Sequence, residues 1–376
     1  MANIPTATMQ PREERRLLRG HLWGYRNEFE QLPALEDGGL VDVFTSKRRF
    51  VGRGFYQGTG GIAVRLLTRH QEDIDGGFFR ARITAARVLR ERVLPGATTY
   101  RWVFGESDGL PGFVADRYGD VVAGKSSCAF YEQHADAIAS AFLEGGATAV
   151  QLEVPGGVRT FGPMPAELRG DMNGISLAVE RDEAQKTGLF LDQRLNISAA
   201  CQFAGGAHVL DGHCYVGAWS CALAKAGAAS VRGVDTSAPA IARAEANAAL
   251  NGVGERCRFD TADVAEVLQE KALYDMVILD PPALAKARGQ QRKALGLYQA
   301  LNAAAMQALK PGGILVTSSC SHFVTAADFS EMLKRASATA RRPGLLLDFR
   351  GAAPDHPVLL SMPETEYLCC AILAMG

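Results

Sequence analysis

Four acidic residues sit at the ends of successive apolar runs, and their spacing describes a ligand site. Val209-Leu210-Asp211-Gly212-His213-Cys214-Tyr215-Val216-Gly217-Ala218 reads as a buried strand that ends in a small-residue turn and opens a helix. A turn of this kind lets backbone approach a ligand, and open α/β sheets bind ligands at the carboxyl ends of their strands. Asp211 at that end would repel a pyrophosphate, and the string is not GxGxxG, so a dinucleotide fits poorly and a ligand bearing an amine fits better. Eighteen positions after Gly217 the next strand ends in Asp235, whose carboxylate can accept both hydroxyls of a ribose. Asp263-Val264 follows a third short strand, where a carboxylate and a backbone N–H could read an adenine edge. A fourth strand ends in Asp280-Pro281-Pro282-Ala283, and the two prolines fix the backbone and hold carbonyls outward. Each feature alone is weak, since a strand-terminal Asp is most often a cap or a turn. Four in order on one alternating sheet point to S-adenosylmethionine (SAM).

The elements that must carry these residues follow from the hydropathy rhythm. From Lys186 onward apolar runs (208–212, 230–235, 275–280, 313–320) alternate with Ala-rich helical segments (219–226, 238–250, about 294–309, 326–337). That alternation predicts a parallel, doubly wound sheet. Ser237 is placed to cap the helix after Asp235, and Asn251-Gly252 to end it. Before residue 75, short β-rich runs at 40–44, 50–56 and 62–67 are broken by Gly-rich turns and read as a small β-barrel. Between them, a helix over 76–93 carries five arginines, and short strands, with a hairpin turn at 106–111, make a small α+β piece to about residue 180. The expected domains are thus 1–75, 76–184 and 185–376.

Composition narrows the function classes. The chain has 376 residues, 47% hydrophobic and 22% charged, with a net charge of −1. This is material for two or three folded domains and does not mark a strongly basic nucleic-acid binder. The charge is uneven, however: residues 1–103 hold 17 Lys and Arg against 11 Asp and Glu. A basic front end is a weak pointer to a polyanion. Arg15, Arg16 and Arg19 beside Trp23 suit phosphate contact plus stacking, and equally suit a basic amphipathic helix on a core. Eight cysteines form no CxxC pair and no His pair stands at ligand spacing, so no metal is expected. Without a signal-peptide pattern or a membrane-length apolar run, the reading predicts a soluble cytoplasmic protein with no membrane partner.

Several strings resemble one family. They are GlyGluSerAspGlyLeuProGlyPhe (105–113), GlnLysThrGlyLeuPheLeuAspGlnArg (185–194), TyrValGlyAla (215–218), AspThrSer (235–237), AspProPro (280–282), SerCysSer (319–321) and AspHisPro (355–357). Together they resemble the RlmI-like class of SAM-dependent 23S rRNA methyltransferases that make 5-methylcytidine, colinearly from about Arg12 to the C-terminus. The resemblance implies a PUA RNA-binding barrel, a central α+β domain and a Rossmann-like class I methyltransferase domain. It implies a SAM site drawn from Phe190, Asp192, Arg194, Asp211, Cys214, Tyr215, Gly217, Asp235, Thr236, Asn251, Asp263, Val264, Asp280 and Pro281. It also implies 23S rRNA as partner and leaves a homodimer open; the residues expected toward the RNA are Arg15, Arg16, Arg19 and Trp23, from their types, together with Lys186. The chain departs from the family in TyrValGlyAla, where TyrThrGlyGly is usual, and in Ala283, where a bulkier residue often stands.

On that resemblance Cys320 is the expected nucleophile and Asp280 its partner. Cytosine C5 is a poor nucleophile; a thiolate added to C6 makes C5 enamine-like, so that it can take a methyl group. Asp280 would hold the N3/N4 edge, and His322 could favour the thiolate. The bland alternative for Cys320 is a small buried core residue. Lys293 and Tyr298, beyond the AspProPro loop, read most simply as an exposed helix face. Three rival functions remain: methylation of a base nitrogen, which usually wants an aromatic in place of Ala283; a nicotinamide dehydrogenase, excluded by the missing GxGxxG; and a non-catalytic RNA-binding protein that kept the fold.

Overall fold

The computed structural model describes residues 4–180, 188–285 and 287–376. Contacts divide the chain into two compact units. The first holds residues up to Leu168 together with Pro354–Thr365, and the second holds most of the rest.

The first unit contains two sheets. Six strands, in the order Trp23–Tyr25, Ile62–Thr68, Phe50–Tyr56, Leu40–Phe44, Thr6–Met9 and Phe29–Gln31, close around Met9, Leu17, Val41, Val43, Val64 and Leu66. Gly54 lets neighbouring strands approach: a Cβ there would lie 2.1 Å from the Arg65 carbonyl oxygen. The five-stranded second sheet runs in the order 157–161, 149–154, 121–126, 113–118 and 99–104. The helix Gly76–Val93 covers it and is capped by Asp75, which accepts from the Phe78 N–H at 3.0 Å.

The strings GlyGluSerAspGlyLeuProGlyPhe (105–113) and AspHisPro (355–357) meet in this unit. Arg90, fully buried, donates two hydrogen bonds to the Asp108 carboxylate (2.6 and 2.7 Å) and others to the carbonyls of Arg101 (2.9 Å) and Asp355 (2.8 Å). Asp355 accepts in turn from the Arg101 N–H at 2.9 Å, and the Ser107 hydroxyl donates to the Pro357 carbonyl at 2.6 Å. Residues 250 or more positions apart are thereby tied by three hydrogen bonds, one of them from the Arg90 guanidinium.

The second unit is built on seven strands: β1 (His208–Gly212), β2 (Ser230–Asp235), β3 (Cys257–Thr261), β4 (Tyr274–Leu279), β5 (Leu309–Ser319), β6 (Gly344–Arg350) and β7 (Cys369–Met375). Their order is β3-β2-β1-β4-β5-β7-β6, with β7 antiparallel to its neighbours and the others before it parallel. Met276, Val277, Ile278 and Leu279 of β4 are fully buried, as expected of a central strand covered on both faces. The helices are α1 (Arg194–Cys201), α2 (Ala218–Lys225), α3 (Ala238–Leu250), α4 (Val264–Val267), α5 (Gln291–Ala308) and α6 (Ala326–Ala340). Strand order reverses between β1 and β4, which makes their carboxyl ends the ligand crevice of a doubly wound sheet.

Two features were not anticipated. The closing hairpin β6/β7 has no helical alternation to announce it. The strand pair Glu167–Met172 and Ile175–Glu180, assigned from sequence to the central piece, groups by contact with the second unit. The physical link is α3: Asn247 accepts from the Ala178 N–H and donates to its carbonyl, and Asn251 does the same with Ser176. Among the described residues no helix is long and apolar enough to cross a membrane.

Truncating Arg90 would strand the Asp108 carboxylate in a buried place. Arg90→Ala is expected to cost about 3–5 kcal/mol in urea unfolding, the usual loss when one member of a buried pair is removed. A loss below 1 kcal/mol would contradict this account of the first unit.

Candidate active site

The β1–α2 turn is shaped by backbone that side chains rarely adopt. His213 (φ 63°), Tyr215 (φ 49°) and Gly217 (φ 81°) are all left-handed, two of them without being glycine. Cys214 N–H donates to the Val234 carbonyl at 3.0 Å, which pins the turn to β2. Gly212 and Gly217 are required by crowding: a Cβ would lie 2.9 Å from Val264 Cγ1 at the first and 3.0 Å from Ala244 Cβ at the second.

Asp235, at the end of β2, accepts from the Tyr215 N–H at 3.1 Å and from the Ser237 N–H at 2.9 Å. Both oxygens are thus oriented, and each keeps a lone pair for a further donor. Thr236 is exposed beside it, and Ser237 caps α3 as expected. Asp263 caps α4 through the Ala265 N–H at 2.8 Å, and Val264 is buried against Gly212. Asn251 is placed differently from its expected role. Its amide is taken up by the backbone of Ser176 and Asn247, so its structural duty is to hold the 175–180 strand.

Asp211 is fully buried on β1. One oxygen accepts from the Ser220 hydroxyl at 2.5 Å, and the other has no hydrogen-bond partner. Burial raises its pKa to about 7; the Ser220 bond opposes the rise, and the Asp280 charge adds to it. Asp192, also buried, accepts from the Tyr367 hydroxyl on one oxygen, while its other oxygen likewise lacks a partner. Two buried carboxylates, each with an oxygen unsatisfied, are the donor set a cation completes, and SAM carries two cationic groups, a sulfonium and an ammonium. The residues therefore fit SAM.

Around this set, Phe190 meets Tyr215 edge-on, 5.4 Å between ring centres. Arg194 is buried at the start of α1, and Cys214 is buried with its thiol held protonated by desolvation. Lys186 lies outside the described residues.

At the end of β4, Asp280 is gripped from two sides. Gln193 Nε2 donates to one oxygen at 2.8 Å and Trp219 Nε1 to the other at 3.1 Å. The grip extends outward: Asn196 donates to Gln193 Oε1 at 2.7 Å, and Arg350 donates to Asn196 Oδ1 at 3.1 Å. Trp219 and Asn196 were not singled out from sequence, because an indole on an Ala-rich helix and an Asn two residues past an Arg give no local signal.

Cys320 follows β5, half-buried, with Sγ 3.9 Å from the Pro281 carbonyl oxygen. The thiol therefore stands beside the Asp280-Pro281-Pro282 loop. Burial raises the pKa of Cys221 and Cys370 to about 12 and of Cys257 and Cys369 to about 11, so those cysteines stay thiols in the core. The hydroxyls flanking Cys320 have structural partners: Ser321 Oγ lies 3.1 Å from the Tyr298 hydroxyl and accepts from the Ala285 N–H at 3.3 Å. Tyr298 is fully buried, which corrects the exposed-face reading; Lys293 is exposed. His322 is exposed and its ring faces Tyr367 at 5.3 Å.

On the barrel, Arg15 and Arg19 are exposed, while Arg16 and Trp23 are engaged internally. Arg16 binds Glu28 at 2.8 Å, and the Trp23 indole donates to Glu106 at 2.8 Å under the Arg65 guanidinium. Among the described residues no His, Cys, Asp and Glu cluster is arranged for a metal ion.

Sheet order, strand-end carboxylates and orphaned buried oxygens are those of a SAM-dependent methyltransferase domain, here following a small six-stranded domain. Family models agree: residues 7–69 match the PUA-like domain, and residues 191–345 match the methyltransferase small domain. The chain belongs to the ribosomal RNA large subunit methyltransferase I family. It is 34% identical to the member from Shewanella denitrificans over 391 residues and 35% identical to that from Alteromonas mediterranea over 382 residues, covering 96% of this chain and of each relative. A methyltransferase solved with S-adenosylhomocysteine shares the fold, with a TM-score of 0.87 at 20% identity over 99% of this chain and 100% of that one.

The raised pKa of Asp211 gives a testable sign. The unfolded carboxyl ionises near 3.8, the folded one near 7, so ionisation costs stability progressively between those values and constantly above them. Asp211→Asn removes that loss. In urea unfolding without SAM, the stability of the variant relative to wild type should be greater at pH 8 than at pH 5 by on the order of 2 kcal/mol. A pH-independent difference would contradict the assignment of a buried carboxyl with one unpartnered oxygen.

Proposed function

We propose that this SAM-dependent ribosomal RNA large subunit methyltransferase forms 5-methylcytidine in 23S rRNA through a covalent adduct of Cys320 with cytosine C6. The observation that carries the reading is the Cys320 thiol at the end of β5, 3.9 Å from the Pro281 carbonyl and next along the sheet from Asp280. SAM supplies an electrophilic methyl group on sulfur. Cys320 adds as a thiolate to C6, which pushes the electron pair onto C5 and lets C5 accept the methyl. Loss of the C5 proton then returns the pair and expels the thiolate, restoring the aromatic ring and the free cysteine. Asp280 meets the N3/N4 edge, and because Gln193 and Trp219 already hold its carboxylate, little reorganisation accompanies the attack. With Ala283 after the prolines, no second thiol stands there to help expel the product, so water or Asp280 takes the C5 proton.

The SAM end of the reading rests on Phe190, Asp192, Arg194, Asp211, Tyr215, Gly217, Asp235, Asp263 and Val264. Arg15 and Arg19 on the barrel are the exposed members of the cluster first read as RNA-facing. For a homodimer, the surface the chain offers is the outer edge of β6, where Leu345, Leu346 and Leu347 are 71%, 54% and 47% exposed.

Two substitutions separate the chemistry from the cofactor. Cys320→Ala should lower tritiated-methyl incorporation into unmodified 23S rRNA more than about 1000-fold while leaving the calorimetric affinity for SAM unchanged; near-wild-type incorporation would refute the adduct. Asp235→Ala should weaken SAM binding by about tenfold or more, the loss of a charge-assisted pair of hydrogen bonds. Unchanged affinity would remove Asp235 from the ribose.

A further inference from the structure

The first unit contains a cavity of about 490 Å³ that the methyl-transfer reading does not use. Its walls come from four places: the barrel (Leu22 and Leu67–His70), the helix 76–93 (Arg82, Ala86, Leu89), the loop Glu106–Gly109, and Leu359. The size falls within the range of small-molecule sites.

The charge inside the cavity is one-sided. Of the two carboxylates in its wall, Asp108 is neutralised by the buried Arg90, and Glu106 by Arg65 at 2.8 Å with the Trp23 indole. Glu72, on the loop beyond Arg69, accepts from the Thr68 hydroxyl. Arg69 and Arg82, by contrast, have no carboxylate partner among the described residues. Each has one long hydrogen bond to a carbonyl, Arg69 to His21 and Arg82 to Leu67, both 3.4 Å. Arg82 is steered into place by the Phe78 ring, 5.0 Å from its guanidinium, and by Gly109, where a Cβ would already touch it at 3.4 Å. Arg69 is half-buried, and loss of solvent lowers its pKa. Two guanidiniums held at a cavity without counterions are a site for an anion, and guanidinium suits phosphate by its planar fork. The remaining wall, Leu22, Leu67, Leu89 and Leu359, is apolar and offers a flat ring a surface to lie on.

We propose that this cavity anchors one unpaired nucleotide of the RNA substrate, with its phosphate between Arg69 and Arg82 and its base against the leucines. The proposal rests on RNA being the substrate and is independent of which base atom is methylated. It differs from the expected cluster at Arg15, Arg16, Arg19 and Trp23, two of whose members are internally paired.

The test is filter binding of the full-length protein to protein-free 23S rRNA transcript between 50 and 200 mM salt. The double variant R69A/R82A should bind about tenfold more weakly, and the slope of log affinity against log salt should shrink by about 0.7, the value for one single-strand phosphate contact. Arg82→Lys keeps the charge and should keep the slope. Arg80→Ala, on the same helix but paired with Glu144, should change neither quantity. Near-UV circular dichroism and urea unfolding report whether the double variant keeps its first unit folded; should it fail, the single variant Arg69→Gln should still lower the slope, by up to about 0.7. Wild-type slope in a folded variant would overturn the proposal, as would competition by a polyglutamate peptide equal to that by a single-stranded RNA oligonucleotide. Binding is read without methyl transfer, so an inactive Cys320 chemistry would leave this result standing, and the reverse holds too.

Discussion

The carboxylate of Asp280 is the fixed point of the second unit. Gln193 and Trp219 bond one oxygen each, Asn196 orients Gln193, and Arg350 orients Asn196. A carboxylate held by two donors cannot swing, and a group that cannot swing stabilises developing charge without first paying reorganisation. The donors come from the turn before α1, from α2, and from β6, so the sheet and both flanking helices must be in place before the carboxylate is. Beside it, the Pro281 carbonyl meets the Cys320 thiol, and β4 and β5 therefore present their chemistry at a common level.

The cofactor side works by the opposite device. Asp211 and Asp192 each keep a buried oxygen without a partner, which is a standing cost in a ligand-free protein. On the proposed reading, a cationic ligand converts that cost into binding, and so couples occupancy of the crevice to the stability of the sheet around it. The left-handed His213 and Tyr215 belong to the same economy, since strained backbone persists where the surroundings over-determine it. Val216, where the resemblance leads one to expect Thr, is buried and offers its carbonyl to Asn247.

Much of this was legible in the sequence. Period and strand-end acids indicated the doubly wound sheet, and the family strings indicated SAM and the PUA-like barrel; fold, cofactor and family were all borne out. What was hidden depends on long-range pairing. Asn251 was expected to end its helix and to contact the cofactor; that its amide also holds a strand 75 positions earlier is a long-range pairing no motif shows. Tyr298, placed after the AspProPro loop, read as an exposed helix face, yet it is sealed against Ser321. Trp219, Asn196 and Arg350 carry no motif at all, and their role exists only once α1, α2 and β6 converge. The unpaired arginines of the first-unit cavity were invisible for a related reason: an arginine-rich stretch does not say which members find a carboxylate.

The central claim is that a sulfur–carbon bond forms between Cys320 and cytosine during the reaction. RNA in which the target cytidine is replaced by 5-fluorocytidine cannot lose a proton from C5, so the adduct should persist through denaturation. Mass spectrometry of the trapped complex, formed with SAM present, should find the nucleotide on the peptide containing Cys320, with one methyl group added. A denatured complex that releases free RNA, or an adduct on another cysteine, would contradict the account.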